Sequence, residues 1–550
     1  MIFACTDPAC RYMAEGESGE YPVCPKCGGL MLNVPEEKLT GEQWADLGVF
    51  WSRQEEEDTG GRSLYCFQKA TEAGNACGMT NLAIYQENGW GLEKDLSTAA
   101  WLYEQAAELG YVPAFYQLGR CFQYGLGKDR DPEEAFHCYL TAAEVGFDRA
   151  QMKVGFCFET GFGTEKDEEQ EFFWYQSAAL QHFAPGETEV GRCYEFGKGV
   201  AADPELAASW YKKAAEQGYP DGECCYGVCL EQGVGVEKDP KEAVLWYQKA
   251  ALHGHATGMN NLGACYERGN GVEKDEQAAL MWYERAAERG SSYGCRNAAR
   301  FYQDGKGAPK DEKKTAEYLE KCAMLGDSDA MVRIGRLYEL GKGVERDGGK
   351  ALEFYEAAAE RGDALGMRVM GMIYRDGRSV RKNLAKARYW FEKAAKKGDV
   401  LSDVTVAFCC LTGIAEKPDP ERAVSILKNR ARSKYVGKDG EYAMYLLGYC
   451  YEKGLAVEKD WKKALKLYRK GAENQSEEAL YRLALYYSEE AEEKDKTKAA
   501  EYCRRVCPDF SLSPSVQFPE EELSERVERL LDKIKKTMKE EDVSNGLDKV

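Results

Sequence analysis

Histidine is scarce in this 550-residue chain, with four in all, so acid–base chemistry that depends on imidazole has few places to sit. His137 stands where other stretches of the chain carry Phe173, Leu245 or Met281, His182 replaces a helix-ending Gly, and His253 and His255 flank a turn. None lies in a GxSxG or HExxH string. The Ser-x-x-Lys strings "SWYK" from Ser209 and "SILK" from Ser425 lack the Ser-Asp-Asn and Lys-Thr-Gly strings that accompany such a string in β-lactamase-type hydrolases. Such a hydrolase is the third-ranking reading, and no residue is assigned as catalytic.

Long apolar runs are also missing. None approaches the eighteen or so residues that a membrane helix needs, and the opening "MIFACTDPAC" has neither a basic start nor a long apolar core. The expectation is a cytoplasmic chain with no membrane partner. Positive charge is in deficit too: 74 Lys and Arg against 94 Asp and Glu leave a net −20. That balance excludes a non-specific nucleic-acid surface, which demands a concentrated basic patch.

What is abundant is repetition. Glycine recurs every 36 residues from Gly89 through Gly125, Gly161, Gly197, Gly233, Gly269, Gly305, Gly341 and Gly377 to Gly413. In the same register stand Asp95, Asp131, Asp167, Asp203, Asp239, Asp275, Asp311, Asp347, Asn383 and Asp419, with proline following at Pro132, Pro204, Pro240 and Pro420. A phosphate-binding loop would occur once, so "GVGVEKDP" is punctuation. Gly ends one helix, Asp caps the next, and Pro takes the first helical position, where its missing N–H costs nothing.

Between these marks lie two helices per period. The second carries Trp210, Trp246, Trp282, Phe354 or Trp390, then Tyr or Phe, then an alanine pair such as Ala214 and Ala215, all on one helical stripe. The first carries a small residue, such as Gly222, where two helices can approach closely. Of twenty-one cysteines, Cys121, Cys157, Cys193, Cys229, Cys265 and Cys409 share one position that is Phe301, Leu337 or Ile373 in other periods. They read as core fillers. One such pair cannot bury its own core, so pairs must stack.

The stretch "NLGACYERGNGVEKDEQAALMWYERAAERG", Asn261 to Gly290, resembles the Sel-1-like repeat (SLR) family, relatives of the tetratricopeptide repeat. The resemblance covers roughly residues 41 to 505, about thirteen units. The first unit, Trp44 to Gly74, has a shortened loop, an insertion places Gly454 41 residues after Gly413, and the last unit, Ala479 to Cys507, is divergent. The resemblance implies an all-α, right-handed superhelical solenoid and a non-catalytic scaffold for proteins or peptides. Domain limits of 1–40, 41–507 and 508–550 follow. In the last segment Leu523, Val527, Leu530, Leu531, Ile534 and Met538 form a stripe suited to capping the final repeat or to docking a partner helix.

Cys5, Cys10, Cys24 and Cys27 are the one ligand-like cluster. "CPKCGG" has the form of a zinc knuckle, and four thiolates would close a tetrahedral site on one structural zinc. The irregular "CTDPAC" leaves a rubredoxin-like iron site and unliganded thiols as alternatives. Residues 1–40 are themselves acidic, which disfavours phosphate contact. A second functional reading makes this zinc-ribbon-like segment the targeting element and the repeats a spacer or oligomerisation surface.

On each first helix, two positions flanking the Leu-Gly pair follow no consensus. Among their occupants, Asn81, Gln117, Arg120, Arg192, Asn261, Asn297, Arg300, Arg333 and Arg336 are the candidate partner-binding residues on the concave face. Guanidinium and amide groups there would suit an acidic or C-terminal carboxylate segment.

Overall fold

The ends of each helix explain the period. In one repeat the helices are Pro220–Gln232 and Pro240–Leu252. The first stops at Gly233, whose φ of +77° lies in the left-handed region and whose N–H bonds back to the Cys229 carbonyl. The Asp239 carboxylate then accepts from the N–H groups of Lys241 and Glu242 to open the second helix. The Asp or Asn caps at 95, 131, 167, 203, 275, 311, 347 and 383 act in the same way.

The computed structural model describes residues 2–5, 13–15, 31–34, 38–53, 59–431, 438–474, 476–490 and 495–505. It comprises two compact units, Met1–Arg289 and Gly290–Val550. The first opens with an antiparallel sheet, Ile2–Cys5 lying between Met13–Glu15 and Met31–Val34, with Phe3 opposite both Ala14 and Asn33. Seven helix pairs follow, from Gly41–Trp51 to Glu276–Glu288. The second unit runs in pairs from Ser292–Asp304 to Lys496–Arg505, with a π turn at Tyr486–Glu490. Among the described residues, strands occur only ahead of the repeats, which are all-α solenoid units as their period predicts.

Cys5 closes the first strand, and only its backbone is described. Cys10, Cys24 and Cys27 lie outside the described residues, as does the Leu523 to Met538 stripe.

Within a repeat, the glycine of the Leu-Gly pair receives a ring. A Cβ on Gly227 would sit 2.7 Å from Tyr247 Cε1, and Gly191 stands in the same relation to Tyr211, as Gly335 does to Tyr355. Only a bare backbone lets the ring lie that close. Burying a ring of this size is worth about 3 kcal/mol over leaving it exposed. Gly222 does the equivalent between repeats, since a Cβ there would stand 2.6 Å from that of Ala214.

The second glycine of the loop also joins repeats. A Cβ on Gly235 would stand 1.8 Å from the Pro204 carbonyl oxygen, so the loop rests on the start of the preceding second helix. Cys121, Cys157, Cys193, Cys229, Cys265 and Cys409 are all buried. Burial pushes the first five thiols up to about 12, which keeps them protonated fillers.

Candidate partner-binding face

Beneath the face runs a polar ladder. In eight repeats the hydroxyl of a second-helix core tyrosine donates to an acid or amide sixteen residues earlier, on the first helix of its repeat. The pairs in the first unit are Tyr103–Glu87 (2.9 Å), Tyr139–Gln123 (2.7 Å), Tyr175–Glu159 (3.2 Å), Tyr211–Glu195 (2.5 Å), Tyr247–Glu231 (2.8 Å) and Tyr283–Glu267 (2.7 Å). The second unit adds Tyr355–Glu339 (3.1 Å) and Tyr468–Glu452 (2.9 Å).

Several of these carboxylates are also held by the following repeat. Glu87 accepts from Arg120 at 2.9 Å, Glu159 from Lys198 at 3.0 Å, Glu231 from Asn270 at 2.9 Å and Glu339 from Arg378 at 2.8 Å. The ladder therefore locks one repeat onto the next. Where the ring loses its hydroxyl, the acceptor changes too: Trp51 precedes Phe67, Arg375 precedes Phe391 and Leu411 precedes Leu427. Gln303, which precedes Leu319, is used instead by Arg333. A buried acceptor without its donor is costly, which explains the pairing of changes.

The row of first helices is the inner one. In the first unit Ala184–Phe196, Pro220–Gln232 and Ala256–Arg268 touch in succession, while successive second helices stand farther apart. In the second unit Ser328–Leu340 and Ala364–Asp376 touch likewise. The positions flanking the Leu-Gly pair lie on this inner row. From Asn81 to Met372 they are half-buried, except for the exposed Phe156 and Arg336.

The candidate residues divide by how far the chain already uses them. In the first unit Asn81 donates to the Cys77 carbonyl at 2.9 Å, and Asn261 lies 3.7 Å from Cys224 Sγ. Arg120 is tied to Glu87 and donates to Gln117 at 2.6 Å, which also occupies Gln117. Arg192 is tied to Glu189 at 2.6 Å. Burial pulls the Arg192 pKa down, and the Glu189 carboxylate more than offsets this, so the pair is a settled internal contact. These arginines were expected to face a partner with their charge unspent. The structure instead neutralises them within the chain, Arg120 by a carboxylate of the preceding first helix and Arg192 by one on its own helix.

The second unit differs. Arg300 donates to Asn297 at 3.4 Å and lies over the Phe301 ring. Arg333 donates to the neutral Gln303 at 2.9 Å, with Asp329 no nearer than 3.9 Å. Arg336 is exposed and has neither a hydrogen bond nor an ion pair among the described residues. The Ser328–Leu340 helix thus presents two neighbouring guanidiniums with little internal neutralisation.

Two of the histidines have polar partners within the chain. His253 Nδ1 lies 2.8 Å from the buried Glu223 carboxylate, and His255 Nδ1 caps a helix by accepting from the Gly258 N–H while its Nε2 faces Asp221 at 3.1 Å. Among the described residues, no group of three or more His, Cys, Asp or Glu is placed to hold a metal ion. No helix among them is long and apolar enough to cross a membrane.

The Sel1 repeat profile matches residues 60–75, 78–111, 113–147, 148–183, 184–219, 222–255, 256–291, 292–327, 328–363, 364–399, 406–428, 441–476 and 477–506. Thirteen segments equal the number read from the period. Similar solved structures include a protective antigen of uropathogenic Escherichia coli strains displaying an SLR fold. It is 26% identical with a TM-score of 0.46, over 83% of this chain and 99% of that one. A Sel1 repeat protein from Oxalobacter formigenes is also 26% identical, with a TM-score of 0.41, over 62% of this chain and 97% of that one. Cysteine-rich protein B of Helicobacter pylori is 30% identical, with a TM-score of 0.21, over 24% of this chain and 95% of its own. No curated protein matches the chain.

Proposed function

Because the chain belongs to the Sel1 repeat family, whose members are generally protein-interaction scaffolds, we propose that it is a non-catalytic scaffold holding a protein or peptide on the inner face of its first helices. The site is centred on Arg333 and Arg336, and the partner contributes an acidic or C-terminal carboxylate segment. The observation that supports this reading is the weak internal neutralisation of these two guanidiniums in a chain of net −20. Arginine recognises carboxylates through paired, directional donors, and two arginines one helical turn apart can share one acidic segment. Asn297 and Arg300, one repeat earlier, extend the same polar strip.

The N-terminal segment has a supporting role in this reading. Cys5, Cys10, Cys24 and Cys27 hold one structural zinc, since four thiolates fill a tetrahedral site and leave no open position. Capture of partner proteins by the full chain and by a chain lacking residues 1–40 tests the assignment of function to the repeats. Equal capture is the expected result. Loss of capture by a truncated chain that keeps its helical content would move the function to the N-terminal segment.

A further inference from the structure

The inner face of the second unit changes character between two helices that touch. On Ser328–Leu340 the inward stripe reads Asp329, Arg333, Arg336, Leu340. On Ala364–Asp376 it reads Leu365, Val369, Met372, at i, i+4 and i+7. That second helix already buries Met367, Met370 and Ile373 on its core side. It is therefore apolar on two sides, and the inner side is not fully covered: Leu365 is exposed, and Val369 and Met372 are half-buried. Met372 packs against a core cluster, as does Phe408, the residue at the same position one repeat later. A helix face turned to water alone has no use for such a stripe.

The charges fit one kind of occupant. Arg300, Arg333 and Arg336 are the cations of the polar strip. Asp329 stands off at 3.9 Å from Arg333, and Asp376, at the far end of the apolar helix, is taken by Arg375 and Arg378. Packed helices lie about 8–10 Å apart, and an extended chain advances about 3.3 Å per residue. A segment laid across the two helices crosses from one stripe to the next in about three residues.

Resting on the reading of the inner face as the binding face, we infer that its second unit takes an extended peptide of a separate protein in which an Asp or Glu precedes or follows a Leu, Met or Ile by about three residues. The carboxylate sits on Arg333 and Arg336, and the aliphatic side chain sits on Leu365, Val369 and Met372. The aliphatic contact, absent from a purely acidic or C-terminal carboxylate ligand, supplies the selectivity.

Fluorescence anisotropy of the full chain with defined peptides tests this. The probes are a labelled peptide of about ten residues with one Glu and one Leu three positions apart in a Gly/Ser background, and the same peptide with the Leu replaced by Ser. The Glu/Leu peptide is expected to bind at least tenfold more tightly. Val369→Ser with Met372→Ser is expected to bring the two peptides to the same affinity, and Arg333→Glu with Arg336→Glu to weaken both. Equal binding of the two peptides to the wild-type chain, weakened by the arginine reversal, would overturn the two-part ligand and leave the acidic reading standing. Binding unaffected by the reversal would overturn both. Failure of either peptide to bind, together with a dimer in sedimentation that the reversal dissociates, would assign the face to a second copy of the chain and overturn the inference.

Discussion

Tyr247 donates its phenolic hydrogen to Glu231 at 2.8 Å, and the same carboxylate accepts from Asn270 of the next repeat at 2.9 Å. One contact closes a repeat and the other joins it to its neighbour. Tyr247→Phe leaves the carboxylate short of a donor and is expected to cost about 1–2 kcal/mol. Adding Glu231→Leu, the residue that stands at this position as Leu411, should recover part of that loss. Hydrogen exchange of the Pro220–Leu252 amides reads the local free energy directly, which matters because long repeat arrays need not unfold as one unit. Simple additivity of the two changes would contradict the coupling.

Glycine substitution separates two roles. Gly235 and Gly110 both have positive φ, +71° and +76°, but a Cβ on Gly235 meets the Pro204 carbonyl at 1.8 Å and one on Gly110 meets nothing within 4 Å. Gly110→Ala should therefore cost only the backbone strain, about 1–2 kcal/mol. Gly235→Ala should cost clearly more, because the joint between repeats must open. Equal losses in thermal unfolding would show that the close approach carries no energy.

Much of this architecture is legible in the sequence because its marks are local. Gly233 and Asp239 announce a helix end and a helix start through backbone chemistry that needs no knowledge of neighbours. The Tyr–Glu ladder was also visible, as Glu or Gln every 36 residues from Glu87 to Glu339, but its meaning needs the packing of two helices sixteen residues apart in sequence. The fate of Arg120 was not legible. Whether a long side chain reaches Glu87, 33 residues away, or points to a partner depends on how successive repeats are set against each other. Arg336 sits at the position of Arg120 six repeats later, where Gln303 stands in place of Glu87, and Arg333 sits at that of Gln117.

Glu187 gives a pH signature. It is buried and accepts from Gln217 at 2.7 Å; burial raises its pKa against the pull of that hydrogen bond and of Lys213. A carboxyl raised in the folded state contributes stability below its unfolded value, near 4.3, and loses that contribution as pH rises through the folded value. Glu187→Gln removes the loss, and the Gln151–Gln181 contact at 2.8 Å shows that an amide pair fits at this position one repeat earlier. The variant should match wild type near pH 4 and melt at a higher temperature near pH 7.5. A variant less stable at pH 7.5 than at pH 4, relative to wild type, would reverse the sign and contradict the burial effect.

Metal content tests the N-terminal assignment. Protein purified without chelator should carry about one zinc per chain, as a closed four-thiolate site requires. Cys24→Ser with Cys27→Ser should lose it while the helical content of the repeats stays the same. Metal-free wild-type protein would remove the site.

The binding face itself is tested most directly by charge reversal. Arg333→Glu with Arg336→Glu changes one half-buried and one exposed side chain, so circular dichroism should be unchanged. Partner capture, measured with both proteins at matched concentration, should fall at least tenfold, about 1.4 kcal/mol, and wild-type capture should weaken as salt screens the attraction. Capture by the reversed chain as tight as that of wild type, at low and at high salt, would contradict the assignment of the inner face as the binding surface.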